Sequence, residues 1–298
     1  MLRLNLFELL KDDDNVLRFL KHNNLIATTY VCPGCGQEKN IENLNNKRCN
    51  TRIGGNKCFS EISIFNNTLF ENSKLSPKIV LFLLYEWCED TPTIKTAKEY
   101  SCNQSTVSRW YSKFQEFAVN AYETFETEKI GGPNQIVQIN ETCILKRKSH
   151  QGRILRYQKW IFGGVELENN NKFFFKIVEN RSSNILLNLI NENIASGSII
   201  MSDMWRGYNN LETLLAENNY THLQVNHSQN FINPLTGAHT QAIEAFWSVM
   251  KRKLRRLGTN YGDLRNVEKK LIANLFKKIH NNSIFEIMLI IIALIYEN

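Results

Sequence analysis

The chain has 298 residues, of which 43% are hydrophobic and 22% charged, a balance typical of a folded globular protein. This length predicts about two domains. Lysines and arginines number 36 against 29 aspartates and glutamates, a formal net charge of +7, which favours a polyanionic partner but says nothing about the fold. Seven cysteines with a local Cys-x-x-Cys indicate metal binding in a reducing compartment and argue against a disulfide framework.

Neither terminal segment is predicted to target or anchor the chain. The N-terminal residues are mixed and become acidic at Asp12-Asp13-Asp14, unlike a signal peptide. The apolar run from Ile284 to Tyr296 contains Glu286 and is shorter than the roughly 20 residues of a membrane span. We therefore expect a buried terminal helix and no membrane partner.

Residues 1–75 are predicted to form an N-terminal helix followed by a zinc ribbon. Apolar residues recur at roughly helical spacing over residues 1–29. Cys32 and Cys35 form a Cys-x-x-Cys knuckle, and Cys49 and Cys58 complete four ligands for a structural Zn²⁺ ion. Eight residues instead of two separate Cys49 from Cys58, so four reduced, buried cysteines are the alternative.

Residues 76–130 are predicted to form a helical DNA-binding region. A buried helix begins at Ser76-Pro77, and the segments Thr93–Tyr100 and Ser105–Phe117 then flank a turn, which indicates a helix-turn-helix. The second helix can enter a major groove, and we assign its Arg109 and Lys113 to DNA contacts. The polar face of this helix is predicted to hold Ser105, Thr106, Ser108, Arg109, Tyr111 and Lys113. An ordinary pair of antiparallel helices is the alternative, and the zinc ribbon and the basic balance favour DNA binding.

A second domain is predicted over residues 133–260, after the boundary Gly131-Gly132-Pro133. Three antiparallel strands, a helix, a strand, a helix and a strand follow one another in the order of the ribonuclease H fold. The predicted strands are Gln135–Glu141, Trp160–Glu168, Lys172–Glu179, Ile199–Met201 and His222–Val225, and the predicted helices are Arg181–Ala195, Trp205–Glu217 and Gln241–Leu257. The fold class is therefore α/β, with a mixed five-stranded sheet and flanking helices. The helices of residues 261–298 are expected to pack on the core.

Two carboxylates of this domain are candidates for chemistry. Asp203 ends a short apolar strand, and functional groups in open α/β sheets lie at the carboxyl ends of strands; a helix N-cap is the alternative role. Glu244 shares one stripe of its helix with Trp247, Lys251 and Arg255, because residues spaced by three and four positions lie on one helical face. Such a stripe can hold a metal ion and grip phosphates, or it can be a solvated charged face.

Basic residues flank these carboxylates in the sequence. We assign to DNA contacts the side chains of Lys146, Arg147, Lys148 and Arg153 in a basic hairpin or loop, and those of Lys251, Arg252 and Arg255 on the last helix of the domain.

Three groups of motifs resemble the ISXO2-like transposases of the IS1595 type, to which the eukaryotic Merlin elements belong. The motifs are the run from Gln158 to Glu166 (QKWIFGGVE), the run from Ser202 to Tyr208 (SDMWRGY), and Val225, His227, Phe231, Pro234, His239, Glu244, Trp247 and Lys251 at their spacing. The resemblance implies a DDE-type transposase with a ribonuclease H-like domain. It also implies two Mg²⁺ or Mn²⁺ ions on three carboxylates, which promote cleavage and transfer of DNA strands.

The resemblance further implies the partners and the location of the protein. The partners are double-stranded DNA at transposon ends and at the target, and further copies of the chain that pair two ends. The expected location is intracellular, in the nucleus of a eukaryotic host or otherwise in the cytoplasm with the nucleoid.

Position 140 departs from the family pattern. The resemblance implies that Asp203 and Glu244 are the second and third catalytic carboxylates. It also implies that the motif histidines His227 and His239 lie beside the site or contact a phosphate, and a structural position in the loop is the alternative. The first carboxylate of the family lies in an Ile-Asp-Glu segment, where this chain has Asn140. Asparagine keeps the shape and one oxygen ligand but lacks the negative charge that two divalent cations need. The neighbouring Glu141 can substitute only if the strand twists or bulges, because adjacent side chains of a strand point to opposite faces.

Two functions therefore compete. The first is a DNA transposase that binds terminal repeats and cuts and joins DNA, impaired at Asn140 or rescued by Glu141. The second is a catalytically dead or domesticated sequence-specific DNA-binding protein, with Asn140 arising by decay or by an engineered change. A ribonuclease H-like nuclease on another nucleic acid is a third hypothesis, which the helix-turn-helix disfavours.

Overall fold

The computed structural model describes residues 3–45, 47–125, 128–145, 159–169, 172–209, 211–214, 216–256 and 264–296. The chain divides into two compact units, one formed by Met1–Glu123 with His280–Asn298 and the other by Thr124–Ile279. The predicted segments 1–75 and 76–130 thus fall almost entirely in the first unit. The helices of the predicted C-terminal segment are divided between the two units.

The elements are numbered in chain order. The helices are α1 (Arg3–Leu9), α2 (Asp13–His22), α3 (Pro77–Cys88), α4 (Thr93–Glu99), α5 (Gln104–Phe125), α6 (Ser183–Asn193), α7 (Leu211–Leu214), α8 (Gln241–Arg256), α9 (Leu264–His280) and α10 (Ile284–Tyr296). The strands are β1 (Thr29–Val31), β2 (Glu38–Asn40), β3 (Lys47–Arg48), β4 (Arg52–Ile53), β5 (Asn56–Lys57), β6 (Glu61–Ile62), β7 (Ile136–Leu145), β8 (Lys159–Glu166), β9 (Phe173–Val178), β10 (Ile199–Asp203) and β11 (Thr221–Val225).

The first unit begins with two helices where the sequence predicted one. Asp12 stops the helical stretch because its extended backbone lets the side chain accept a hydrogen bond from the backbone N–H of Asn15 at 2.8 Å, which is the geometry of an N-cap. The next segment forms the short antiparallel pairs β1–β2, β3–β6 and β4–β5. This arrangement of small hairpins, with four clustered cysteines, could form the predicted zinc ribbon.

Helix α3 is the buried helix of the first unit. Ser76 caps it by accepting a hydrogen bond from the N–H of Ile79 at 3.4 Å, and Pro77 occupies its first turn, as predicted. Nearly all of its side chains are buried. Helix α10 packs against α3, with the rings of Tyr85 and Phe285 5.7 Å apart.

The segment Arg265–Tyr296 is long and apolar enough to cross a membrane, judged by length and composition alone, with a mean hydropathy of 1.7 in its window. In the structure a 3₁₀ turn, Asn281–Ser283, separates its two helices α9 and α10. Helix α10 buries six of its apolar residues, from Ile284 to Ile292. Core helices of globular proteins have this composition as well.

The helix-turn-helix predicted in the first unit is formed by α4 and α5. Ser101 takes a left-handed conformation in the turn, with φ of 51°, and Val107 is fully buried against the unit. Tyr111 differs from the prediction, because its hydroxyl bonds Thr96 at 2.9 Å and the carbonyl of Thr91 at 3.2 Å. Tyr111 therefore fastens the two helices together, and burial raises its pKa.

The second unit is built on a five-stranded sheet in the order β11-β10-β7-β8-β9. Strands β7, β8 and β9 pair antiparallel, while β10 runs parallel to both β7 and β11. This mixed topology is the predicted ribonuclease H order. Helix α6 covers one face of the sheet, where Val137, Ile139, Ile200 and Leu186 belong to one buried cluster, and α8 contacts β7 and β8.

The predicted helix Trp205–Glu217 is wrong. The segment instead forms a 3₁₀ turn at Arg206–Tyr208, the single helical turn α7 and another 3₁₀ turn at Ala216–Asn218. Gly207 lies so close to the Trp205 indole that an added Cβ would approach it to 2.7 Å. Tyr208 has no solvent exposure, so packing of this aromatic side chain takes precedence over helical continuity.

Gly163 on β8 provides a test of how α8 packs on the sheet. A Cβ at this position would lie 2.5 Å from the carbonyl oxygen of Phe174 and 2.9 Å from the Trp247 ring. We expect Gly163→Ala to destabilise the second unit by about 1–3 kcal/mol, the usual cost of overpacking. Urea unfolding monitored by tryptophan fluorescence measures this, with Thr221→Ala on the exposed side of β11 as a control. An unchanged Gly163→Ala midpoint would contradict the close packing.

Candidate functional site

The central strand β7 presents alternate side chains to two different environments. The carboxamide oxygen of Gln138 accepts hydrogen bonds from the backbone N–H groups of Ala242 at 2.9 Å and Ile243 at 3.2 Å. Gln138 thus faces the start of α8 and satisfies N–H groups that the first helical turn leaves unpaired. Asn140 follows two residues later and shares this face, because side chains alternate along a strand.

Asp203 reaches the same edge of the sheet from the neighbouring strand. Met201 pairs in parallel with Gln138, so Asp203 follows Met201 on the face where Asn140 follows Gln138. Strand β10 ends at Asp203, whereas β7 continues to Leu145, beyond its predicted end. Asn140 therefore lies within its strand, at the level where the adjacent parallel strand stops.

One oxygen of Asp203 has a local structural partner. Its Oδ1 accepts a hydrogen bond from the backbone N–H of Trp205 at 3.0 Å. This bond stabilises the chain reversal after β10. The alternative role predicted for Asp203 was to cap a helix, but the residue instead caps a turn. The residue is half-buried and lies at a strand end, as expected of a ligand at this type of site.

Glu244 lies in the first turn of α8, on the helix that Gln138 contacts. Its side chain is half-exposed and accepts a hydrogen bond from the Thr240 hydroxyl at 2.6 Å. The Nε2 atom of His227 lies 2.7 Å from that hydroxyl and 3.4 Å from the Glu244 carboxylate. Three residues further along α8, the Trp247 ring covers Gly163, the strand partner of Asn140.

The two motif histidines have different surroundings. His227 adjoins Glu244, whereas the Nδ1 atom of His239 lies 3.0 Å from Nε2 of Gln138. Because the other end of the Gln138 carboxamide accepts backbone N–H groups, its nitrogen is the donor in this contact. His239 therefore supports the residue that joins β7 to α8.

Glu141 faces away from Asn140, towards the α6 side of the sheet. Its side chain is only 3% exposed, accepts a hydrogen bond from the Tyr208 hydroxyl and lies 3.9 Å from Arg181. Burial raises the pKa of Glu141 to about 7, and the Tyr208 hydrogen bond opposes that rise. The Asp203 carboxylate also raises the pKa of Glu141, so the two groups lie near each other, although the hydrogen-bond and ion-pair partners of Glu141 are Tyr208 and Arg181.

Arg181 completes the environment of Glu141. Its guanidinium lies 3.8 Å from the ring centre of Trp160 and 4.1 Å from that of Trp205, which is the range of strong cation–π contacts. The sequence analysis did not assign a role to Arg181 or Tyr208. The motif SDMWRGY contained Tyr208 and Trp205, but only the folded chain shows that they enclose the carboxylate next to Asn140.

The three candidate ligands supply less negative charge than a two-metal site needs. Asn140 offers a neutral carboxamide oxygen, and Asp203 and Glu244 offer two carboxylates, so the ligands carry a formal charge of −2. Two divalent ions carry a charge of +4 and lie about 3.5–4 Å apart. The charge of these residues therefore falls short of the two-metal site that the resemblance implied. Among the described residues, the cysteine cluster is the only group of three or more His, Cys, Asp or Glu side chains close enough to hold a metal ion.

The basic residues assigned to DNA are distributed over both units. Arg109 is exposed on α5, whereas Lys113 is half-buried with its ammonium 5.5 Å from the Trp110 ring and 5.7 Å from the Tyr296 ring. On α8, Lys251 is half-exposed and Arg252 is exposed. The remaining assignments fall outside the described residues: Lys146, Arg147, Lys148 and Arg153 entirely, and Arg255 in its side chain.

The four ribbon cysteines form a candidate metal centre in the first unit. Their sulfur atoms all lie within 4.8 Å of one another. Cys32 and Cys58 are 3.7 Å apart, and Cys35 and Cys49 are 3.6 Å apart. Four sulfurs at about 2.3 Å from a tetrahedral Zn²⁺ ion would be separated by roughly 3.8 Å, so the cluster fits this ion. Hydrogen bonding with Thr51 lowers the pKa of the Cys49 thiol to about 6.

Comparisons with known proteins identify the second unit. Residues 130–261 match the family model of the ISXO2-like transposase domain, which confirms the family that the motifs indicated. No curated protein matches the sequence.

Similar solved structures include a transposase complex and a viral intasome. A paired-end complex of Mos1 transposase with the left transposon end shares 12% identity, with a TM-score of 0.29, over 74% of this chain and 80% of that chain. An intasome of simian T-cell lymphotropic virus with the PP2A regulatory subunit B56 gamma shares 13% identity, with a TM-score of 0.34, over 60% of this chain and 67% of that chain.

The cysteine cluster predicts the metal content of the protein. We expect about one Zn²⁺ per chain, and loss of this zinc in Cys32→Ser and Cys49→Ser, because a three-sulfur site leaves one coordination position open. Elemental analysis of the purified chain measures the stoichiometry. Cys102→Ser alters a cysteine outside the cluster and should keep the metal. Zinc retained in both cluster variants would refute the site.

Proposed function

We propose that this chain, whose residues 130–261 form an ISXO2-like transposase domain, binds the ends of its mobile element but is silenced for DNA strand cleavage. The main observation behind the proposal is that Asn140 and Glu141, which are neighbours on β7, face opposite sides of the sheet. Asn140 shares a face with Gln138 and stands level with Asp203, while the only adjacent carboxylate, Glu141, is buried on the opposite face. No charge on this strand compensates for the missing carboxylate.

The retained residues define what the site can still do. A bound divalent cation would supply the charge that polarises a DNA phosphate. Asp203 and Glu244 would hold it, and the Thr240 hydroxyl and His227 would orient Glu244. With Asn140 in the first position, the ligands neutralise too little charge for the second ion of an in-line displacement. Binding of DNA requires none of these groups.

DNA recognition is proposed for the first unit. The recognition helix would be α5, which offers the exposed residues Ser105, Ser108 and Arg109 at its N-terminal end. Tyr111 and Val107 on its other side hold α5 against the unit. Residues at the start of the second helix are those that contact base edges in this motif. The zinc ribbon would stabilise the unit and add basic surface beside it.

We propose that copies of the chain assemble on DNA, because the proposed function requires it. Two transposon ends must be brought together before transfer, so we infer that two or more copies bind a pair of ends. The second candidate function, an active transposase, requires charge at the first position from a group that is not Glu141. The comparison of Asn140 with aspartate separates these two functions.

Restoring the carboxylate tests the proposed silencing. Asn140→Asp should raise Mg²⁺- or Mn²⁺-dependent cleavage by orders of magnitude, because a third anionic ligand restores the two-metal donor set, while affinity for DNA stays within a few-fold. Cleavage of a labelled duplex that carries the ends of the encoding element measures the rate, and a gel-shift assay measures the affinity.

A matched control removes another ligand of the same site. The double variant Asn140→Asp, Asp203→Asn should return to background cleavage with DNA binding intact. Equal cleavage by the unaltered chain and by Asn140→Asp would show that position 140 is not a metal ligand. Binding of the ends without cleavage by either form would leave the DNA-binding function standing and refute silencing at position 140.

The proposed recognition helix generates a separate prediction. Arg109→Ala should weaken binding of the ends, and a phosphate contact would also lower the slope of log K against log[salt] by about 1. Fluorescence anisotropy at several salt concentrations measures both quantities. Arg18→Ala on α2 removes an exposed arginine outside the helix-turn-helix and serves as the control. The same loss of affinity in both variants would contradict a specific role for α5.

A further inference from the structure

The loop between β11 and α8 exposes large apolar side chains. Phe231 is 79% exposed, Ile232 49% and Leu235 95%. We call these three residues the apolar tip. Exposure of three such side chains within five positions is costly in water, and clusters of this kind often mark an interaction site.

The apolar tip is carried by a loop with an ordered hydrogen-bond network. The Asn233 side chain accepts a bond from the N–H of Leu235 at 3.0 Å and donates one to the carbonyl of Gln224 at 2.9 Å. Its backbone bonds Ala238 at 2.9 Å and Gly237 at 2.8 Å. The tip is therefore held in place before any partner binds, which lowers the entropic cost of using it.

The two ends of this loop meet at a candidate catalytic residue. Near its start, His227 contacts the Thr240 hydroxyl at 2.7 Å, and Thr240 at its end donates to Glu244 at 2.6 Å. A partner that binds at Glu244 thus approaches a loop that exposes the apolar tip among polar residues. The substrate proposed for that site is a DNA strand.

The loop between β11 and α8 has no acidic side chain that would repel a nucleic acid. Residues 226–243 contain no aspartate or glutamate, and α8 continues with Lys251, Arg252 and Lys253. Backbone phosphates therefore meet no acidic side chain along this stretch of the sequence.

We propose that the apolar tip inserts into the base stack of the transposon end and unstacks the bases beside the strand held at Glu244. Apolar side chains that enter a base step in this way offset the cost of unstacking by their own burial and by the contacts of the deformed DNA. The inference rests on the proposed function, since it requires that the chain bind DNA ends. Unstacking by the tip is a separate step, because neither strand cleavage nor recognition of the sequence requires it.

The test uses the full-length chain and DNA that reports base stacking. Duplexes carrying the element's ends are prepared with 2-aminopurine at successive positions around the end. We expect binding of the unaltered chain to raise the fluorescence several-fold at one or two adjacent positions. The double variant Phe231→Ala, Leu235→Ala should abolish most of that rise while binding the duplex within a few-fold of the original affinity.

Two further variants separate insertion from a general loss of fold. Phe231→Trp keeps a large aromatic side chain and should retain the fluorescence rise. Leu4→Ala removes an apolar side chain of α1 that is 77% exposed and should also retain it. Circular dichroism and zinc content confirm that each variant is folded.

The outcomes distinguish this inference from the function on which it rests. Failure of the unaltered chain to bind the ends overturns both. Binding without a fluorescence rise at any position overturns insertion and leaves DNA binding intact. A rise that persists in the double variant overturns the assignment to the tip. A double variant that instead lowers the sedimentation coefficient of the DNA-free protein shows that the tip joins copies of the chain, which also overturns insertion.

Discussion

The second unit depends on the hydrogen bonds that Gln138 makes with the start of α8. Its buried carboxamide oxygen accepts two backbone N–H groups of the helix, and its nitrogen contacts His239. These bonds join the central strand to the helix that carries Glu244, and they fix which face of β7 points towards that helix. Because side chains alternate along a strand, every other residue of β7 then has its environment determined. Asn140 faces the site, and Glu141 enters the enclosed cluster of Tyr208 and Arg181.

This alternation explains why a single side chain can decide the chemistry of the site. A one-residue shift of β7 would move Glu141 to the site, but it would also turn Val137 and Ile139 out of the core and expose Gln138 to an apolar layer. The carboxylate beside Asn140 is thus near in sequence and inaccessible in space. The Glu141 cluster has its own structural purpose, since it ties β7 through Arg181 to the Trp205 segment that follows Asp203.

The sequence predicted the elements whose signals are local or periodic. The strand order, the group of four cysteines and the Ser76 cap follow from spacing and from capping chemistry, and the structure confirms them. Helices α4 and α5 lie where the helix-turn-helix was predicted, and its role in DNA binding stays a prediction. The helix at Trp205 failed because burial of Tyr208, a tertiary effect, outweighed helical periodicity. The contacts of Gln138 with His239, Ala242 and Ile243 join residues more than 100 positions apart, and no single-sequence pattern reveals such pairs. The alternation of side chains along a strand was enough to predict that Asn140 and Glu141 face opposite sides of the sheet. Only the folded chain shows which residues each of them contacts.

The division of the C-terminal helices has a consequence for how the chain is made. The first unit contains residues up to Glu123 and then His280–Asn298, with the whole second unit between them. Helix α10 supplies Phe285 to the aromatic contact with Tyr85 on α3. During synthesis the ribosome releases α3 long before α10 is made, so the apolar surface of α3 stays uncovered by α10 while about two thirds of the chain is synthesised. The second unit can fold from one continuous segment in that interval. A chaperone that shields α3 would therefore act on the first unit, which is completed only after the second unit has been synthesised.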